Sequence, residues 1–304
     1  MAMNRATFPA DLEEGLNAHF GMEYTDHPQE WSQVFDTESS RKAWEEDVQE
    51  YGLGAAVVKP EGGSVTYDEG GQGWMKRYTH ITVALAFSIT EEAIEDNLYQ
   101  RLGPKYSRSL ARSMVHTKEI YASDILNRAR NASYLGGDGK TLLATDHPLA
   151  RGGSFSNVMA IPSQISEAAM EDVLIMIRKM KDDRGIPIAL KPTKLIIPPE
   201  AEFAAARIMK TVARPGTADN DVNAVKVRRS SFYGSEPVIM TRLTDPDAWF
   251  IKTDVNDGLK HFKRTALQRG METDFDTGNY RYKARERYSF GWTDPRALTG
   301  SMSA

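Results

Sequence analysis

Tyr288, Phe290 and Trp292 alternate within the run Glu286-Arg287-Tyr288-Ser289-Phe290-Gly291-Trp292-Thr293-Asp294-Pro295-Arg296 near the C-terminus. Period-two aromatics predict a strand, and Asp294-Pro295 predicts the turn that ends it. The segment offers no nucleophile, no metal-ligand spacing and no phosphate cradle. Its form is structural, and residues 254–304 read as strands on which a long helix elsewhere in the chain has to pack.

That helix is announced by Ser88-Ile89-Thr90-Glu91, a capping box. Ile89, Ala93, Ile94 and Leu98 carry one face; Tyr106, Leu110, Met114, Tyr121 and Ile125 continue the spacing to about Asn131. Gly103-Pro104 predicts a kink or break. A helix of that length orders an elongated subunit. Ahead of it, Val57-Val58, Val65-Thr66-Tyr67 and the segment from Trp74 to Phe87 predict two strand-like arms. Gly62-Gly63 and Gly70-Gly71 supply flexible points between them. A lone two-stranded ribbon is marginal in water, so it needs a partner surface.

The first fifty residues hold twelve Asp/Glu and three Lys/Arg. Pro9 opens a helix in which Leu12, Leu16 and Phe20 recur. A second helix is expected from about Thr37 to Tyr51, with Trp44, Val48 and Tyr51 as its apolar edge. Neither buries itself alone. After Gly136-Gly137-Asp138-Gly139 and a Gly/Ser-rich stretch, a second unit follows. Its expected elements are a helix Ser166–Arg184 stopped by Gly185, a strand Ile188–Ile197, and a helix opened by Pro198-Pro199 with Phe203, Ile208 and Val212. Strands are expected at Val225–Arg228, Pro237–Leu243 and Ala248–Thr253. The fold class is α+β.

Composition narrows the chemistry. With 304 residues, 40% hydrophobic and 26% charged, the chain is of ordinary globular make-up. A net charge of −4 lacks the basic excess of a dedicated nucleic-acid binder. There is no cysteine, which removes thiol nucleophiles, thiolate metal sites and disulfides together. No secretory signal and no membrane span is expected. Gly136–Thr141 lacks the first glycine of a phosphate loop, because Tyr134 stands there. Asp146-His147 lacks a third ligand and reads as a turn before Pro148. Glu91 and Glu92 suit a helix first turn, and Lys226-Val227-Arg228-Arg229 reads either as a contact to nucleic acid or as an exposed strand end protected by charge. No catalytic, cofactor-binding or metal residue is assigned.

Several segments, in order, resemble the major capsid proteins of tailed bacteriophages with the Hong Kong 97-type coat fold. Gln72 to Tyr99, especially Ile89-Thr90-Glu91-Glu92-Ala93-Ile94-Glu95-Asp96-Asn97-Leu98-Tyr99, is similar to the family's extended loop entering its spine helix. Leu142–Leu149 with Gly152-Gly153 and Ser156-Asn157 resembles the loop between peripheral and axial domains. Pro192–Pro199, Asn220-Asp221-Val222-Asn223, Ala248–Ile251 and the C-terminal strand complete the match.

The resemblance implies an N-terminal arm (1–52), an extended loop (53–88), a peripheral domain with the spine helix (89–160), an axial domain (161–252) and a return to the peripheral domain (253–304). It implies hexamers and pentamers in an icosahedral head around double-stranded DNA, in a virion made in the bacterial host cytoplasm. Portal, separate scaffold and decoration proteins are the implied partners besides the chain itself, with weak non-specific DNA contact. Lys59 and Lys76 lie in or near the loop, but a covalent Lys–Asn link is not expected. The acidic arm is expected to face Arg281, Lys283, Arg285 and Arg287 of an adjacent copy, with Phe20, Trp44 and the loop aromatics carrying much of the association. The competing readings are an encapsulin-like compartment shell and a metal-free cytosolic α+β enzyme.

Overall fold

In the computed structural model, residues 8–96, 99–211, 223–227 and 236–303 are described. The expectations resting on Met1–Arg5, Asn97-Leu98, Val212, Asn220–Val222 and Arg228-Arg229 lie outside them. Helix α1 (Phe8–Asp26) buries Leu16 and Phe20 completely, because residues four apart share one face. A short 3₁₀ turn (Glu30–Gln33) then sets Trp31 in the interior.

Strands β1 (Asp36–Ser39) and β2 (Trp44–Tyr51) occupy the stretch expected to be helical. The reason lies in the spacing of its charges. Glu45, Asp47 and Gln49 turn toward the rest of the chain, while Trp44, Glu46 and Glu50 point out. A helix here would have had only the narrow edge of Trp44, Val48 and Tyr51 to bury, whereas a strand gives each inward polar group a fixed partner. β2 pairs antiparallel with β3 (Gly71–Thr79), Trp44 facing Thr79. The ribbon's arms are therefore 44–51 and 71–79, joined by 52–70. The next strand, β4 (Ile81–Ile89), does not belong to the ribbon; it pairs with β11 of its own chain.

Helix α2 (Glu91–Glu95) is capped by the Thr90 hydroxyl, which accepts from the Ala93 amide at 3.3 Å. The long helix α3 (Tyr99–Asn127) runs through Pro104 without ending. Proline there removes one backbone donor near the helix start, and α2 ends at its Asp96 cap. Gly103 lets α1 approach closely, since a Cβ there would sit 3.3 Å from Leu16 Cδ2. The pair β5 (His147–Pro148) and β6 (Ser154–Phe155) forms a small hairpin.

Helix α4 (Glu167–Lys179) starts at Ser166, which caps the Ala169 amide. It is followed by β7 (Pro192–Ile197), α5 (Glu202–Lys210) and α6 (Ala224–Val227). The last replaces an expected strand. Asn223 donates to the Ile208 carbonyl at 2.6 Å, capping the end of α5, and Val225 is buried in the neighbouring core. Then come β8 (Val238–Ile239), β9 (Trp249–Thr253), β10 (Leu259–Thr273), β11 (Tyr280–Trp292) and β12 (Leu298–Ser301).

Two four-stranded sheets result, β1-β10-β11-β4 and β12-β9-β7-β8. The return segment thus feeds both: β10 and β11 join the sheet under α3, while β12 pairs with β9. One core, with Leu110, Met114 and Tyr282, lies between α1, α3 and β11. A second, with Met170, Val173, Leu195 and Trp249, lies under α4 and α5. A third, containing Trp31, Phe250, Trp292 and Leu298, joins the two sheets. Asn157 fastens this junction: its amide donates to the carbonyls of Leu142, Pro295 and Leu298 at 2.7, 2.9 and 3.1 Å.

Candidate assembly surface

The loops that invited a chemical reading are occupied by structure. In Gly136–Thr141 the Gly136 amide donates to Lys140 O at 2.7 Å and Gly139 to Gly136 O, so these amides close a turn instead of converging on an anion. Gly137 is required because a Cβ would lie 2.6 Å from the Met75 carbonyl of β3. Asp146 pairs with Lys140, whereas His147 turns inward and meets buried Asp138 at 2.6 Å, so neighbours in sequence face different partners. Among the described residues no three His, Asp or Glu side chains converge on a metal position. Among the described residues, too, no helix is long and apolar enough to cross a membrane. A groove of about 490 Å³ between α4 and the β5–β6 hairpin is lined by Leu149, Phe155, Ile175 and Met176.

What the fold does present is a ribbon and a charged sheet face. The ribbon's base is locked into its own chain. Lys260 reaches Asp47 at 2.6 Å and Asp257 at 2.7 Å. Burial alone would lower its pKa, but hydrogen bonds to Asp257 and Asp47 outweigh it and hold the ammonium above its ordinary value. Gln49 donates to Asp183 at 3.2 Å and to Asp294 at 3.5 Å. Arg296 closes this group by reaching Asp183 at 2.9 Å and Asp294 at 3.1 Å. Burial raises the Asp294 carboxyl against the opposing pull of Arg296. Sequence reasoning missed Gln49 and Asp183, whose partners are distant in the chain, and read Asp294 and Arg296 only as the turn after the last long strand.

The ribbon's far end has the opposite character. Leu53, Val57, Val58, Val65 and Tyr67 are exposed, Val58 and Tyr67 to 90% and 93%. Five large apolar side chains in water along one segment mark a binding surface more than a chance exposure.

On β11, Arg281, Lys283 and Arg285 are exposed, while Tyr282, Ala284, Glu286 and Tyr288 between them are buried. Their partners across β4 are small: Ser88, Ala86, Ala84 and, beside half-buried Arg287, Thr82. The cations stand above a floor of methyl and hydroxyl groups. Beneath, Lys118 of α3 meets Glu286 at 3.3 Å, and Tyr24 of α1 donates to the same carboxylate at 3.4 Å. Burial lowers Lys118 and raises Glu286, outweighing the attraction between them. Phe20 is spent on this interior, stacked on Tyr24 at 5.9 Å. It is not available to a neighbouring copy.

The model of a family described as phage capsid protein matches residues 75–300. No curated protein matches the sequence. Among solved structures, the procapsid of bacteriophage JBD30 shares 15% identity at a TM-score of 0.56, covering 99% of this chain and 77% of that one. A Mycobacterium phage Che8 chain is 12% identical at 0.53, with 89% of each chain covered. The SrpI encapsulin of Synechococcus elongatus is 10% identical at 0.51, covering 91% of this chain and 87% of that one. These likenesses establish the fold that phage heads and encapsulins share, and the family match separates them. With more than half its length inside that family and its long helix lying on a sheet, the chain belongs to the phage capsid protein family and is a major capsid shell protein of the Hong Kong 97-type fold.

Proposed function

We propose that copies of this chain form the hexamers and pentamers of an icosahedral head enclosing double-stranded DNA, with the ribbon of each copy lying on the next. The observation that carries this is the row of exposed apolar side chains from Leu53 to Tyr67, which its own chain leaves in water. Residues 44–70 hold seven acidic side chains and one basic. The basic face of β11 is their proposed counterpart on the adjacent subunit. This narrows the expected acidic arm, because α1 lies on its own α3 and β11.

The proposed partition keeps arm 1–52, loop 53–88, a peripheral unit of 89–160 and 253–304, and an axial unit of 161–252, whose sheet β12 completes; across its boundaries β2 of the arm forms one side of the ribbon, and β4 at the loop's end joins the peripheral sheet. Portal, scaffold and decoration proteins are the proposed further partners, and host cytoplasm the proposed place of synthesis. Removing residues 55–67 tests the contact. The shortened chain should stay soluble and folded, because the core residues lie elsewhere, and should no longer form particles. Normal particles from it would refute the contact.

A further inference from the structure

Where the ribbon's tip leaves its two strands, one residue of another element holds it. The turn that follows α4 is rigid: Asp182 N donates to Ile186 O at 2.8 Å, and the Asp182 carboxylate accepts from the amides of Arg184 and Ile186 at 2.9 and 2.8 Å. Gly185, at φ 84°, completes it. From this turn the Arg184 guanidinium reaches the Asp68 carboxylate and the Glu69 carbonyl, and it lies 5.6 Å from the centre of the Tyr51 ring. Asp68 in turn accepts from the Gly54 amide at 2.7 Å, on the opposite side of the tip.

Thus both chain crossings at the neck, and the end of β2, meet at one side chain that is itself only 6% exposed. Gly52, Gly54, Gly70 and Gly71 surround the contact. Glycines permit many backbone directions, so the neck has little stiffness of its own. A planar, forked guanidinium that binds a carboxylate and a carbonyl together fixes direction as well as distance, which an ammonium does not.

We propose that Arg184 is the positioning residue of the ribbon tip: a contact inside one subunit aims the tip at the next and so sets whether shells close correctly. This rests on the reading that the tip engages a neighbouring copy.

The test uses the full chain and three variants, Arg184→Ala, Asp68→Asn and the charge exchange Asp68→Arg/Arg184→Asp, beside the 55–67 deletion. Melting of the unassembled subunit reports folding; electron microscopy reports the yield and diameter of particles. Both single variants should melt close to the parent while the yield of particles of parental diameter falls about tenfold or more, the scale of one lost charge-assisted hydrogen bond. The exchange should recover part of that yield. Should Arg184→Ala fail to fold, Asp68→Asn, altered on the exposed side of the pair, decides by the same criterion. Parental particles from the single variants, or an exchange that recovers nothing, overturn the role of Arg184. If in that case the deletion still abolishes particles, the tip contact stands; if the deletion too assembles normally, the contact itself is wrong.

Discussion

At the residue scale, the most telling groups are the ionisable side chains buried between α1, α3 and β11. The Lys118 and Glu286 side chains are 10% and 4% exposed. Removing one partner leaves an uncompensated buried charge, which costs roughly 3–5 kcal/mol, whereas an apolar pair of similar volume is often neutral. Lys118→Met should therefore lower unfolding stability strongly, and Lys118→Met/Glu286→Leu should recover most of the loss. Urea unfolding of the unassembled subunit measures both.

Glu119 provides a pH signature. Burial, then the Glu30 charge, raises its carboxyl to about 7, against the opposing effects of the Trp31 amide and Arg242. Because this exceeds the unfolded value of 4.5, the folded chain holds a proton that the unfolded chain has lost between those values. The associated stability is fully present below 4.5 and is lost as pH rises through about 7, on the order of 3 kcal/mol. His261 acts oppositely. Burial, then Lys118 and Lys263, lowers it to about 3, so its contribution is lost as pH falls below 6.5. The difference between parent and Glu119→Gln isolates the first effect. The variant should lose less stability than the parent from pH 4.5 to 7, and identical profiles would remove Glu119 from the account.

At the scale of elements, legibility followed periodicity. Leu12, Leu16 and Phe20 gave α1, and Met170, Val173 and Ile177 gave α4, because four-residue apolar spacing has one structural meaning. The aromatic alternation of β11 was equally plain. β2 escapes that signal because its pattern is carried by charge: Asp47 and Gln49 point inward only because Lys260 and Asp183 stand opposite. Nothing within the segment indicates partners more than a hundred residues away. The ribbon was legible through its glycines, but its arms were displaced because β4 satisfies its backbone on β11. Hydrogen exchange should therefore find β4 and the paired parts of β2 and β3 protected in the free subunit. Residues 55–67, beyond the neck that Arg184 and Asp68 hold, should exchange rapidly there and slow on assembly. Rapid exchange of the tip in assembled particles would remove it from the subunit contact.

At the scale of the whole molecule, the absence of cysteine rules out disulfides between subunits, and dispersed apolar and ionic contacts are the proposed fastening of the shell. Exposed ion pairs contribute at most about 1 kcal/mol each and are screened by salt. In the proposed contact the exposed apolar tip therefore carries much of the association. Assembled particles should survive a chelator and weaken modestly in high salt; loss of particles on adding chelator alone would expose a metal dependence that these contacts lack. The central claim, that this chain closes on itself into a shell, is tested most directly by electron microscopy of the purified full-length protein. The account predicts closed icosahedral particles built of hexamers and pentamers, and a sample of compact monomers or small oligomers under all assembly conditions would contradict it.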